Sequence, residues 1–230
     1  MKFRINFLKG ARTAIPIMMG YVPAGFACGV LAQQAGMSVL EVFIMSAIVY
    51  TGTSQFITIA QLSAGVSYGM MVLTCGIVNL RYALMSASVA AKFSRLPFLY
   101  KVLFGMEISD ETFMVNAARS EAASAEELAR PPLIYETLGV TVMSHATWIA
   151  ATASGCFFGS VIGDAGRFGI DFGLVAVFLA LLAPRLKDKK QFLVIIMSGA
   201  VAAVSFLMGF GTWSIIIATV AGAALGAGLK

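Results

Sequence analysis

Val42–Leu80 reads VFIMSAIVYTGTSQFITIAQLSAGVSYGMMVLTCGIVNL. These 39 residues contain no Asp, Glu, Lys or Arg, and Arg81 follows directly. A helix that crosses a bilayer needs about 20 predominantly apolar residues. The run is therefore long enough for two crossings joined by a tight turn. A second charge-free run of the same length covers Gln191–Leu229. Two more gaps lie between Arg12 and Glu41 and between Glu136 and Asp164.

Composition agrees. Of 230 residues, 59% are hydrophobic and 12% charged, and the mean hydropathy is +0.89. A soluble domain carries about 25% charged residues and needs that polar surface to cover its core. A soluble globular enzyme, a disordered chain and a nucleic-acid binder are excluded, despite the net charge of +5. The reading is an all-α polytopic protein of the lipid bilayer, one membrane domain over residues 1–230. A β-barrel would show short alternating segments instead. Cys28, Cys75 and Cys156 lie inside apolar stretches with no CxxC spacing, so they read as small packing residues.

Six to seven hydrophobic segments are expected, near 13–35, 42–61, 68–91, 133–158, 168–184, 191–208 and 212–229. Residues 1–12 form a basic end without a cleavage site, read as a retained cytoplasmic terminus. Residues 92–132 form the one long polar stretch and hold six of the eleven acids. It reads as a cytoplasmic loop with a surface helix over about 109–128, where Ser124 and Glu127 suit a capping box. Residues 96–106 are apolar but short and suit the interface.

Orientation follows the Lys/Arg loop count. Seven full crossings leave at least a third of the fifteen basic residues outside the spans on the wrong side of the membrane. If one of the first three segments is broken or re-entrant, fourteen of the fifteen face the cytoplasm, as do both termini. Non-helical backbone at membrane depth persists only where protein or a water-filled cavity surrounds it. The candidate breaks are Gly52, in the run Tyr50-Thr51-Gly52-Thr53-Ser54-Gln55-Phe56, and Pro23, in a segment that also holds Pro16 and Gly20. A weak internal repeat places Gly25-x-x-x-Gly29, Ala35-Gly36 and Glu41 against Gly155-x-x-x-Gly159, Ala165-Gly166 and Asp171. The Gly-x-x-x-Gly pairs, including Gly65/Gly69 and Gly222/Gly226, favour close helix packing.

Arg81 carries the strongest chemical signal. A charge at a helix centre costs about 2.5–3.5 kcal/mol on insertion scales, so Arg81 should face a cavity, a carboxylate or an anionic ligand. A purely structural ion pair with Glu41 or Asp171 is the alternative. Asn79, two residues earlier, should point roughly the opposite way. Thr51, Thr53, Ser54 and Gln55 surround a glycine with hydroxyls and an amide, suited to a substrate pocket or to interhelical hydrogen bonds. Asp110 and Glu111 suit a proton-coupling or gating site, or equally a solvated helix start. His145, on one face with Trp148, suits a proton relay or a neutral packing role. Glu41 and Asp171 each open a span. No metal site, cofactor motif, HExxH, GxSxG or P-loop is present, which leaves a secondary transporter or a channel rather than an enzyme.

The stretches beginning at Pro23 (PAGFACGVLA), Tyr50 (YTGTSQF), Asn79 (NLRYAL) and Ser109 (SDETF) resemble, in order and spacing, the AzlC family, large subunits of bacterial branched-chain amino-acid exporters. Thr53 departs from the small residue expected before Ser-Gln. The resemblance implies a proton-driven exporter of leucine, isoleucine, valine and methionine-like amino acids in the bacterial cytoplasmic (inner) membrane. It also implies a separately encoded small membrane subunit of the AzlD type. Arg81 would hold the substrate carboxylate, and the 51–55 oxygens with helix dipoles its ammonium. A passive channel and a non-transporting scaffold subunit are the competing classes.

Overall fold

The structure, a computed structural model, describes residues 2–162, 179, 186, 189–211 and 213–229. The segment expected at 168–184, with Asp171 and Ala165-Gly166, lies almost wholly outside the described residues. Among the described residues every regular element is a helix. The chain divides into two compact units, residues 1–64 with 79–173, and residues 65–78 with 174–230.

In the first unit α1 (Lys2–Thr13) leads into α2 (Ile15–Gln34). Then come α3 (Val39–Ile48), α4 (Gly52–Ser63) and, from Asn79 onward, the latter part of α5 (Tyr68–Ala90). The polar stretch folds as α6 (Phe98–Met106), α7 (Asp110–Ala122) and α8 (Ala125–Leu128) before the long α9 (Pro131–Ile162). At 1.5 Å per residue, the 32 residues of α9 span about 48 Å. Helices α1, α2, α3, α7 and α8 pack against it.

Glycine decides how closely they approach. A Cβ at Gly155 would overlap the Phe26 carbonyl, and one at Gly29 would overlap the Thr152 carbonyl. A Cβ at Gly25 would lie 2.8 Å from the Ala151 methyl. The two Gly-x-x-x-Gly copies of the internal repeat thus meet face to face where α2 crosses α9, as small-residue packing requires. Gly10 and Gly139 do the same for α1, each against the other helix's backbone. That contact makes a packed helix of the basic N-terminal stretch, which charge alone does not reveal. Two expectations fail. Among the described residues, Gly65 and Gly69 have no neighbour for a Cβ within 4 Å, and Gly65, at φ +67, is a turn residue. Pro23 breaks nothing: α2 runs straight through it. Neighbouring helices stabilise an interior proline at membrane depth, and here α9 lines α2 from Gly25 to Gln33.

The break falls between α3 and α4. Ser38 and Glu41 form a capping box that starts α3, and this accounts for Glu41 at the exposed start of a span. The helix stops at Ile48, and Val49, Tyr50 and Thr51 leave helical geometry. Thr51, extended at φ −148 and ψ 101, then caps α4 through its side chain. Gly52 lies just past the break, and its role is spatial: a Cβ there would stand 2.9 Å from the Trp148 ring.

The surface helices form as the sequence predicts. Ser109 and Thr112 make the capping box of α7, whose first turn holds Asp110 and Glu111. Ser124 and Glu127 make that of α8. Ser124's N–H and hydroxyl hold the exposed Glu127 carboxyl below the usual carboxylate range. The short apolar piece at 96–106 contributes Leu96 and Phe104 to a small core with Ile134.

In the second unit α10 (Lys189–Ser205) runs through a π-type turn, Phe206–Phe210, to α11 (Trp213–Gly228). Gly209 and Gly211 take the positive φ values, +87 and +51, that separate the two helices. Gly222 of α11 faces the Ser198 side chain of α10. Ile15–Gln34, Tyr68–Ala90 and Lys189–Phe210 are each long and apolar enough to cross a membrane. The protein is an all-α, multi-pass membrane protein.

Candidate functional site

An interrupted helix exposes backbone groups that must find partners. At the end of α3 the partners are side chains of α4 and α9. The Ser46 carbonyl receives His145 Nε2 at 2.9 Å. The Val49 carbonyl receives the Gln55 side-chain N–H. Gln55 is 1% exposed, and its other end accepts from Trp148 Nε1 at 3.0 Å and from the Ser46 hydroxyl at 3.4 Å. Ser46 Oγ also lies 2.8 Å from Thr152 Oγ1. Tyr50 stacks on the His145 ring, with centroids 4.1 Å apart.

The protons of His145 follow from its neighbours. A carbonyl only accepts, so Nε2 carries a hydrogen. Nδ1 lies 2.9 Å from Glu107 Oε1, a distance that requires one further proton between the two atoms. Glu107 Oε2 is buried without a partner. His145 and Trp148 therefore both reach the broken segment, as their spacing of three on one helix face suggests.

At the start of α4 the partners come from α5 and α7. Asn79 Oδ1 accepts from Ser54 Oγ at 2.7 Å and from Thr51 Oγ1 at 3.4 Å. Arg81 Nη2 donates to Thr53 Oγ1 and to Tyr82 Oη, both at 3.0 Å, and stands 3.0 Å from Asp110 Oδ2. Tyr82 Oη donates onward to Thr51 Oγ1 at 3.2 Å. The contacts to Thr53, Tyr82 and Asp110 all use Nη2, and Arg81 Nε is buried without a partner. The Arg81 and Asp110 side chains keep 31% and 28% of their exposure, so the pair faces open space.

Two expectations are corrected here. Asn79 and Arg81 do not serve opposite sides: both reach the start of α4, because the Arg side chain is long enough to bring its head round to Thr53. The partner of Arg81 is Asp110, not Glu41. Asp171 lies outside the described residues. Glu111, next to Asp110, takes a different partner and accepts from Tyr21 Oη at 2.7 Å. Tyr21 Oη also lies 2.8 Å from Ser109 Oγ and receives Tyr50 Oη at 3.5 Å. The α7 N-terminus is therefore tied both to Arg81 and to the phenols of Tyr21 and Tyr50.

Thr51, Thr53, Ser54, Gln55, Asn79, Arg81, Asp110, Glu111 and His145 thus gather around one break. Sequence reasoning missed Glu107, Tyr21, Tyr50, Tyr82, Ser46 and Thr152. Only Glu107 left a usable trace, as an acid directly after an apolar piece. Among the described residues no cluster of His, Cys, Asp and Glu is arranged to hold a metal.

Comparison with known proteins adds the lineage. A family model described as AzlC protein matches residues 16–162. The chain is 30% identical over 228 residues to the inner membrane protein YgaZ of Escherichia coli, covering 96% of this chain and 88% of that protein. It is 32% identical to an uncharacterized membrane protein of Archaeoglobus fulgidus, with 94% and 92% covered. It is 27% identical to the branched-chain amino acid transport protein AzlC of Bacillus subtilis, with 77% and 67% covered. No solved structure matches. With a family model over most of its length and a relative aligned from end to end, the chain belongs to the AzlC family of inner-membrane proteins.

Proposed function

We propose that this chain is a secondary-active exporter of branched-chain and methionine-like amino acids, driven by protons and working with a small AzlD-type subunit. A membrane-transport role is supported by the family and by the Bacillus subtilis relative's name. The substrate class, the direction, the proton and the partner subunit are the proposal's own. The observation that carries it is the part-exposed Arg81–Asp110 pair beside an interrupted helix, with Arg81 Nε buried and unpartnered.

An apolar amino acid is a zwitterion, and it fits this pair by splitting it. Its carboxylate takes the guanidinium, whose planar fork suits two oxygens. Its ammonium takes the Asp110 carboxylate. One ion pair becomes two, and no charge is left uncompensated in a low-dielectric site, where an unpaired charge is costly. Thr53 holds the guanidinium on its other side. Small and apolar walls receive the tail.

The same geometry supports a sign for the coupling. A proton on Asp110 removes the negative charge that pairs with the ammonium, so proton and substrate compete for one carboxylate. Competition is the requirement for antiport: the substrate leaves as the proton enters. Co-binding would give symport and uptake.

The test measures leucine affinity against pH in reconstituted protein. Affinity should fall about tenfold per pH unit below the Asp110 titration, the change expected from one competing proton. Asp110→Asn should bind leucine weakly and without pH dependence, and gradient-driven export should stop. Affinity that rises on acidification refutes the competition and with it the export direction.

A further inference from the structure

A cavity of about 210 Å³ lies farther along the helices that hold Arg81 and Asp110. Its walls come from the end of α5 (Ser86, Val89, Ala90), from α6 and from α7. The lining is mostly apolar, with Phe93, Phe104 and Phe113 among its walls. Two polar groups interrupt it. Lys101 supplies a cation. Asn116 is 7% exposed, and its Oδ1 is buried without a hydrogen-bond partner. A buried acceptor left unsatisfied is destabilising, and a donor entering the cavity would satisfy it.

Gly105 lines the same cavity, and a Cβ built there meets nothing within 4 Å. Gly in a helix interior is less stable than Ala. Neither close packing nor a special φ calls for glycine at this position. Its effect is to leave the cavity open.

We infer that this cavity is a reception site for an aliphatic α-amino acid, which waits there before passing to Arg81 and Asp110. The inference rests on the transport reading above. Asn116 Oδ1 accepts from the ammonium, Lys101 takes the carboxylate, and the phenylalanines and Val89 take the tail. Size favours a single small solute. A cavity of about 150 Å³ takes a benzene molecule, so this one holds roughly eight or nine non-hydrogen atoms, the size of valine or leucine. A phospholipid acyl chain of about sixteen carbons exceeds it nearly twofold by the same measure.

Position gives the site its use. Val89 lies eight residues beyond Arg81 on α5, and Asn116 lies six beyond Asp110 on α7. At 1.5 Å per residue, the cavity sits about 10 Å from the ion pair along both helices that hold the pair. Its α5 walls lie toward Lys92 and the basic stretch read as cytoplasmic, the side from which an exporter loads.

The test is calorimetric titration of L-leucine into the full chain in nanodiscs, with stoichiometry as the readout. Wild type should bind two leucines per chain. Gly105→Leu, which fills the cavity, and Asn116→Leu should each bind one. Gly105→Ala should keep two and reports on folding. Arg81→Ala should keep the Asn116-dependent leucine. If both cavity variants bind as many leucines as wild type with unchanged affinity, the reception site does not exist. If Arg81→Ala removes every leucine, the cavity is not a site of its own. If Arg81→Ala still binds two, the Arg81 reading fails and the cavity stands. Native mass spectrometry supplies the lipid arm: phosphatidylethanolamine or phosphatidylglycerol released by Asn116→Leu, with leucine stoichiometry unmoved, would assign the cavity to lipid and overturn the proposal.

Discussion

The two ends of the break at Val49–Thr51 are held by different chemistry. At the end of α3 the freed carbonyls of Ser46 and Val49 receive N–H donors from His145 and Gln55, and Gln55 is held in turn by Trp148. Ser46, Gln55 and Trp148 are buried, and His145 is partly so. At the start of α4 the partners are hydroxyls, an amide and an ion pair that keeps part of its exposure. One end is a dry cap that fixes where the helix stops. The other carries a charge and a spare donor toward space that a solute can enter. A broken helix can thus divide its labour, with one terminus maintaining the interruption and the other using it.

Substitutions on the two sides should therefore affect different measurements. The largest effect is expected from Gln55→Leu. It leaves the Val49 carbonyl and Trp148 Nε1 without partners, each at about 1–3 kcal/mol. The thermal midpoint in detergent should fall steeply, and export should be lost with it. A variant that melts like wild type but fails to export would move Gln55 to the binding side. Next is Arg81→Lys, which keeps the charge and loses the fork. Export should fall about tenfold or more, the scale of about 1.4 kcal/mol in lost bidentate bonding, with the midpoint nearly unchanged. Wild-type export from this variant, at normal expression, would end the carboxylate-clamp role. Thr53→Ala should do least. It removes one acceptor from a guanidinium that keeps Asp110, a loss of about 0.5–1.5 kcal/mol, read as a several-fold rise in KM at constant melting temperature. A loss of folding here would make the start of α4 as structural as the end of α3.

Several parts of this site were legible in the chain. Arg81 stood out because a lone charge inside an apolar segment is costly, and 51–55 because polar residues clustered around glycine inside a span. The paired glycines of α2 and α9 were readable, though not that they would face each other. The choice between Pro23 and Gly52 was not legible, since both residue types disrupt helices in isolation. Packing settled it: α9 supports α2 across Pro23, while Gln55, His145 and Trp148 bond to the break beside Gly52. The partners of Glu107 and Tyr21 were out of reach because they lie 38 and 90 residues away in the chain. An isolated acid or phenol carries no local mark of such a partner.

Local composition determined what each segment can do. Charge-free length specified membrane helices, Ser-x-x-Glu specified the start of α8, and Arg81 specified that a carboxylate or anion must lie nearby. Those outcomes depend on transfer free energy and short-range hydrogen bonding, which are properties of residues within a turn or two of one another. The tertiary structure decided which carboxylate meets Arg81, which carbonyls His145 and Gln55 cap, and that a cavity remains beneath Gly105. Each of these joins segments far apart in sequence, and only the packing of helices against α9 and against one another brings them within bonding distance.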